Sequence, residues 1–474
     1  MMDPIKFGTD GWRGTIARDF TFENVRRVAQ AIADYIKDEQ VKVGRKKTPL
    51  SGPMVVGYDK RFQSDAFARE IVQVLEANQL KPMLMAESLP TPAVSWMTKR
   101  LGGVGVMVTA SHNPPAYNGV KIKIDGRAAL EDVTRGVEGW VDRTAPTRSP
   151  EIKVKSFREP YLNYLKGRVD LAKIKSRFKK PIVVDYMHGA GSGLMRELLP
   201  VKGLVEIRAE HDPLFGGVHP EPIERYLGAL SEAVKANKAG IGLALDGDAD
   251  RFGLVDEHGR YLTPCQVFPM LCLYLIEKKK LSGKIVQSVS LGYLAERIAA
   301  EKGLPFEQLP VGFKHVAERL AQGEAVIAGE ESGGYAWKGG IAERDGLLTA
   351  LLFLEMCATT GKTPSQLWGE IESRYGASFY KRIDYRVHRP VADKAVWTQK
   401  LVKKLPKKLL NAPIKELIQT DGLKIVVEGG HWLLMRPSGT EPLMRVYAES
   451  DKPDRTDALL ELAKKWVAPS LGAH

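Results

Sequence analysis

At 474 residues, 44% hydrophobic and 27% charged, the chain is too long for one small core and is composed like a globular protein, not a disordered or fibrous one. A formal net charge of +13 admits nucleic acid or small anions as partners, but the basic runs 42–47, 173–180 and 403–408 carry no interleaved aromatics. They read as solvated helix ends and loops, so nucleic acid is not an expected partner.

The first candidate motif is GTDGWRG (8–14), turn glycines around Arg13. GPMVVGYDKR (52–61) then reads as a strand ending in a polar loop, followed by an amphipathic helix from Ser64. GGVGVMVTA is a second strand, leading to Ser111 and His112, and Pro114 and Pro115 keep a helix from starting at once. Lys121 follows ten residues after Ser111. Taken locally, Ser111 is either a turn serine or a nucleophile, since a hydroxyl needs a base or a metal to activate it. The GxSxG elbow of α/β-hydrolases is absent.

Further along, KPIVVDYMHGAGSG precedes LMRELLPVKG, IGLALDGDADR follows the helical ALSEAVKANKAG, and GKIVQSVSLGY precedes LAERIAAEKG. Alternating strands and helices predict α/β layers with mainly parallel sheets, whose ligand loops gather at the carboxyl ends of strands. Three similar α/β units are expected, 1–150, 151–255 and 256–372, with 143–151 as a linker. The tail, 373–474, reads as a smaller α+β domain. The most apolar stretch, Leu347–Cys357, is short and carries Glu355, so no membrane span is expected. Three cysteines (Cys265, Cys272, Cys357) are too few for a disulfide framework, and no signal peptide is recognisable. A reducing, cytoplasmic setting is the expectation.

The strongest motif is DGDADR (246–251). Asp246, Asp248 and Asp250 alternate with only Gly and Ala between them, and three crowded carboxylates repel unless a hard cation such as Mg²⁺ joins them. A calcium loop is excluded, because Arg251 stands where its sixth-position glycine belongs. RPSGTEP (436–442) packs Arg436, Ser438, Gly439 and Thr440 into one turn, either a plain β-turn or a seat suited to a phosphate dianion. GEESGG (329–334) offers Glu330 and Ser332 between flexible glycines, as sugar contacts or as a solvated turn. GKT at 361–363 lacks the first P-loop glycine, and GAGSGL lacks the last glycine of the dinucleotide fingerprint.

Together and in this order, TASHNP, DGDADR, GEESGG and RPSGTEP resemble the α-D-phosphohexomutase superfamily, the phosphoglucomutases and phosphomannomutases. The resemblance runs from Phe7 to Arg445, nearly the whole chain. It implies four domains around a central cleft, three related α/β units plus a smaller C-terminal one. It implies that Ser111 is a phosphoserine donating its phosphoryl group to a hexose monophosphate, and that Asp246, Asp248, Asp250 and a phosphoserine oxygen hold Mg²⁺. Glu330 and Ser332 match the sugar loop, and Arg436, Ser438, Gly439, Thr440 and Arg445 the phosphate clamp. Lys121 and Arg13 match basic residues near the phosphoserine, Lys121 being the better proton-transfer group, while His112, Arg251 and Lys314 match further cleft positions. The implied activity interconverts glucose 1-phosphate and glucose 6-phosphate through glucose 1,6-bisphosphate, with hexose phosphates as ligands and a monomer or homodimer as the assembly. Mannose or glucosamine phosphate is the alternative substrate, and a metal-dependent sugar phosphatase a remoter one. One departure stands out: Gly334 occupies a place where related loops commonly end in histidine, and GEES is closer to the phosphoglucomutase pattern.

Overall fold

The structure, a computed structural model, describes residues 5–8, 10–42, 50–391, 393–438 and 442–468. They form two compact units. The first takes the chain up to Leu262 together with Gly312–Gly323 and Ser332–Ser365, and the second takes Thr263–Val311, Glu324–Glu331 and the chain from Gln366 on.

In the first unit, strand Val104–Val108 is buried at every residue, as an apolar run covered on both faces must be. It lies within an eight-stranded mixed sheet whose order is Phe7–Gly8, Gly11–Thr15, Tyr117–Ile124, Val104–Val108, Met54–Tyr58, Pro82–Met85 and Val154–Lys155, with Arg127–Ala128 paired off Tyr117–Ile124. The strands from Val104–Val108 to Val154–Lys155 run parallel, and Tyr117–Ile124 returns antiparallel. The chain therefore leaves Ser111 through a proline-stiffened loop into a neighbouring strand. Arg13 is not in a turn, as its glycines suggested. It sits in strand Gly11–Thr15, opposite Gly119. The segment 143–151 runs over helix Ser64–Ala77, where Arg148 pairs with Glu70 and Ser149 N donates to Gln73 O, before the chain adds Val154–Lys155 to the sheet edge.

A second sheet, ordered Leu204–Ile207, Ile182–Asp185, Ile241–Leu245, Phe252–Val255 and Tyr261–Leu262, is parallel across its first three strands and antiparallel after them. DGDADR is the connection between Ile241–Leu245 and Phe252–Val255. The apolar run around Leu347 becomes helix Gly346–Thr360, buried from Gly346 through Ala358. A helix apolar on all sides belongs in a core, and among the described residues no helix is long and apolar enough to cross a membrane.

In the second unit, Phe306–Leu309, Lys284–Ser288 and Ala325–Gly329 run parallel. The C-terminal part is a six-stranded antiparallel sheet, ordered Phe379–Arg386, Leu443–Ser450, Trp432–Pro437, Leu423–Val427, Ala412–Ile418 and Lys408–Leu409. Helix Pro453–Val467 covers it, packing Leu459, Leu460 and Ala463 against Leu423, Ile425 and Val446. Strand alternation turns Lys424 the other way, where its Nζ donates to Val289 O (2.8 Å) and Gln308 Oε1 (3.0 Å) over the Trp432 ring. Burial brings the Lys424 pKa down to about 8. Basic residues 403–404 and 407–408 are exposed, in line with a solvated surface, whereas 43–47 lie outside the described residues.

One buried ion pair ties the first unit together. Lys123 Nζ donates to Glu343 Oε2 at 2.6 Å, Ser95 Oγ donates to the same oxygen at 3.1 Å, and both charged side chains are at most 1% exposed. Glu343→Ala leaves a buried ammonium without its counter-charge and is expected to cost about 3–5 kcal/mol. A lowered urea midpoint followed by circular dichroism checks this.

Candidate active site

Ser111 stands just past the carboxyl end of Val104–Val108, with a left-handed φ of 54°. Its Oγ donates to Asp246 Oδ2 at 2.9 Å, so the serine loop and the aspartate loop meet. Gly247 permits that approach, since a Cβ there would lie 2.5 Å from Ser111 O. Any side chain between the first two aspartates would push the loops apart.

Asp246, Asp248 and Asp250 are fully buried, and one carboxylate oxygen from each lies within 4.8 Å of the others. Thr91 Oγ1 donates to Asp248 Oδ2 at 2.5 Å, and Arg251 N to Asp246 Oδ1 at 3.0 Å. Asp248 Oδ1 and Asp250 Oδ1 are buried with no hydrogen-bond partner. Buried carboxylate oxygens without donors are costly, and an all-oxygen set of this kind fits Mg²⁺. The donor chemistry and the orphaned atoms agree with the cation inferred from DGDADR.

Cations offset the remaining charge. Lys121 Nζ reaches Asp10 and Asp248 at 3.0 Å and Asp250 at 3.3 Å. Arg344 Nη2 reaches Asp250 at 2.8 Å and Asp10 at 3.3 Å. Arg251 Nε lies 3.9 Å from both Asp246 and Asp250, and its Nη1 donates to Glu221 at 3.4 Å. Burial alone would lower the Lys121 pKa, but Asp10, Asp248 and Asp250 hold it above its ordinary value. Burial would raise Asp10 and Asp248, yet Lys121 above all holds both below the usual carboxylate range. Asp246 is pushed well up, by burial and then by Asp248 and Asp250. His112 Nδ1 lies 3.5 Å from Ser111 Oγ. Burial, then Arg251, Arg13 and Lys121, keep His112 well below its ordinary pKa, and so neutral. Arg13 Nη1 donates to Asn113 Oδ1 at 2.9 Å, on the serine loop.

Of the sequence-derived residues in this unit, Ser111, His112, Lys121, Arg13, Asp246, Asp248, Asp250 and Arg251 come together. Lys314 does not join the aspartates, because its Nζ meets Glu131 Oε2 at 3.3 Å. Ser332 Oγ is buried without a partner, and the next residue is held by Phe252 N donating to Gly333 O at 2.9 Å. Thr91 and Arg344 were missed, since nothing in their local sequence marks them, and Asp10 was passed over within GTDGWRG in favour of Arg13. Gly334 now has a reason: a Cβ there would lie 2.2 Å from Arg344 Cδ. The bare backbone at this position leaves room for the Arg344 stem on its way to Asp250.

The second unit holds the remaining candidates. Glu330 is buried at the end of strand Ala325–Gly329. Glu331 accepts from Ser288 Oγ (3.0 Å) and Ser290 Oγ (2.5 Å). Arg436 lies within strand Trp432–Pro437, not in the turn, directly opposite Arg445 on Leu443–Ser450. Two guanidinium groups facing each other repel. Asp421 accepts from Arg436 Nε at 2.5 Å, and Asp384 lies 3.9 Å from Arg445 while binding Arg382 bidentately at 2.7 Å. Arg382, Arg436 and Arg445 gather three guanidinium groups on neighbouring strands, a cationic patch suited to an anion. Arg382 was not singled out in the sequence. Ser438 is buried beside this pair and donates its N–H to Leu443 O, while Gly439 and Thr440 lie outside the described residues.

Comparison with known proteins finds four family domains along the chain. The family described as phosphoglucomutase/phosphomannomutase matches through its alpha/beta/alpha domain I at residues 4–148, domain II at 159–259, domain III at 263–375 and its C-terminal domain at 387–463. A phosphoglucomutase/phosphomannomutase of Thermococcus kodakarensis is 30% identical, the match covering 98% of this chain and 99% of that protein. A Methanosphaera stadtmanae protein, provisionally named a phosphoglucosamine mutase, is 30% identical over 98% of both chains. A crystal structure from Thermus thermophilus, provisionally described as a phosphomannomutase, is 34% identical with a TM-score of 0.87, covering 99% of this chain and 100% of that one.

The Gly334 contact yields a specific expectation. Gly334→Ala displaces Arg344 from Asp250, and a shift on the ångström scale at a reacting site costs on the order of 10²-fold in kcat. A thermal melt within a few degrees of the parent, alongside the lower kcat, separates this effect from misfolding.

Proposed function

The chain belongs to the phosphoglucomutase/phosphomannomutase family, and from there we propose that it interconverts glucose 1-phosphate and glucose 6-phosphate through a phosphorylated Ser111. As a phosphohexomutase it is an isomerase. The observation that supports the reading most is Ser111 Oγ lying 2.9 Å from Asp246 in a buried group of three carboxylates.

A mutase of this kind carries its phosphoryl donor on the protein. A hydroxyl of the hexose monophosphate attacks the Ser111 phosphorus, a P–O bond to the sugar forms, and the bond to Ser111 Oγ breaks. The hydroxyl proton leaves to a neighbouring base, and Ser111 keeps an oxygen that is rephosphorylated from the other end of the bisphosphate. Such a transfer relies on positioning and charge stabilisation more than on covalent chemistry. Neutral His112 beside Oγ is a group able to accept that proton, and Lys121, held as an ammonium by three carboxylates, is a group able to give one to the departing oxygen. Asp246, Asp248, Asp250 and Ser111 would hold Mg²⁺, which neutralises charge on a phosphoryl group in flight. Arg13 and Arg251 add positive charge beside the serine loop.

In this reading residues 1–150 carry the phosphoserine loop, 151–255 the metal loop, 256–372 the sugar loop and 373–474 the phosphate loop. Glu330 and Ser332 bind sugar hydroxyls, with Lys314 as a further contact. Arg436, Ser438, Gly439, Thr440 and Arg445 hold the phosphate that is not reacting, and the cross-strand arginine pair supports that role. Glucose 1,6-bisphosphate serves as intermediate and activator. The GEES loop favours glucose over mannose or glucosamine phosphate. The three cysteines are free and buried, which suits the reducing cytoplasm.

In a coupled assay with Mg²⁺ and trace glucose 1,6-bisphosphate, glucose 1-phosphate is expected to exceed mannose and glucosamine 1-phosphates in kcat/KM by roughly tenfold. EDTA is expected to abolish turnover and Mg²⁺ to restore it. Ser111→Ala is expected to lose both turnover and the phosphate seen by intact mass. Wild-type turnover in that variant overturns the phosphoserine mechanism, and a preference for another sugar overturns the glucose assignment.

A further inference from the structure

The Ser111 loop is wound around one side chain outside the reacting cluster. Arg61 follows strand Met54–Tyr58, the parallel neighbour of the strand that leads to Ser111. Its Nη2 donates to Ser111 O and Asn113 O, both at 2.6 Å, and its Nη1 donates to Pro114 O at 2.8 Å and Tyr117 O at 2.9 Å. All four terminal N–H groups of a guanidinium are thus committed to backbone carbonyls of one seven-residue loop. The side chain is 0% exposed, with Asp59 at 3.3 Å and the Phe215 ring 4.9 Å away.

A second anchor starts from the same strand end. Ser111 N donates to Thr109 Oγ1 at 2.8 Å, and Thr109 Oγ1 donates to Asp59 Oδ2 at 2.6 Å. Asp59 also accepts from Ser64 Oγ (2.7 Å) and Arg61 N (3.0 Å). Ser111 is therefore tied at its own N–H and at its own carbonyl, on either side of a left-handed φ that a non-glycine residue adopts only when its surroundings over-determine it. Ordinary loop packing does not require this convergence. A planar five-donor fork is the group that can satisfy four diverging carbonyls, and a lysine ammonium has one donor too few and no plane.

We infer that Arg61 is the positioning residue of the phosphoryl-donating loop, fixing Ser111 Oγ for in-line transfer while making no contact of its own with the reacting atoms. Asp59 and Thr109 complete the device by orienting the guanidinium and holding the Ser111 N–H. The inference rests on the phosphoserine reading given above. A loop without this anchor still binds sugar phosphate, because the binding groups lie elsewhere, but it presents the phosphoserine in a spread of orientations and more openly to water.

Arg61→Lys in the full-length enzyme tests it. With the wild-type melting behaviour largely kept, kcat is expected to fall by about 100-fold while KM stays within about threefold. The variant's phosphoserine, formed with glucose 1,6-bisphosphate, is also expected to release inorganic phosphate faster than the wild type. Thr109→Val should lose kcat in the same manner, and Thr109→Ser, which keeps the hydroxyl, should restore it. Wild-type kcat in Arg61→Lys overturns the inference, and so does a loss that merely follows the folded fraction, or equal kcat in the two Thr109 variants. A wild-type chain with neither phosphoserine nor turnover overturns the functional reading itself, whereas a wild type that turns over beside an unimpaired Arg61→Lys overturns only the role of Arg61.

Discussion

Three carboxylates buried side by side are the constraint on which the first unit depends. Asp246, Asp248 and Asp250 have no exposed surface, and like charges so close would force the loops apart or force protons on. The surrounding residues answer that demand. Lys121 comes from the strand after the serine loop, Arg344 from just before the buried helix Gly346–Thr360, and Thr91 from the start of helix Thr91–Leu101. Even with those partners, Asp248 Oδ1 and Asp250 Oδ1 lack a donor. The pocket is therefore suited to a cation, and Ser111 Oγ, donating to Asp246, joins the serine loop to it.

Sheet architecture supplies the geometry. Met54–Tyr58 and Val104–Val108 end side by side, which brings Asp59 and Arg61 to the Ser111 loop. Ile241–Leu245 delivers the aspartates, and Gly247 lets the two loops touch. A different rule operates in the second unit. There the antiparallel register sets Arg436 opposite Arg445, with Asp384 opposite Arg445 on the other side. Cross-strand pairing concentrates positive charge that no helix spacing would have produced.

Much of this was legible in the chain. The alternation of apolar runs with helical periodicity marked the strands and helices around Ser111 and DGDADR, because buried parallel strands must be apolar throughout. The three-aspartate pattern pointed to a cation, since crowded carboxylates repel without one, and the fold does bury the three side by side. Arg13 was less legible: its glycines suggested a turn, but a hairpin of two short strands uses glycine for close approach as readily as a loop does. The Arg436 motif reads as one turn, whereas its first two residues finish a strand. Arg344 and Arg61 carried no signal at all. Arginine beside or near an acidic residue is common on any surface, and only burial distinguishes these two.

Sequence alone therefore determined the residue types and their local geometry: which segments are strands, which serine follows a rigid strand end, which aspartates crowd. These depend on short-range sterics, solubility and backbone chemistry. Tertiary structure decided the partnerships. It set Asp10, far from Lys121 along the chain, against the same ammonium as Asp248 and Asp250. It turned Arg61 inward onto four carbonyls and put Gly334 against Arg344. Electrostatic energy falls with distance in space and not along the chain, so a charge finds its counterpart only once the fold has brought the two together.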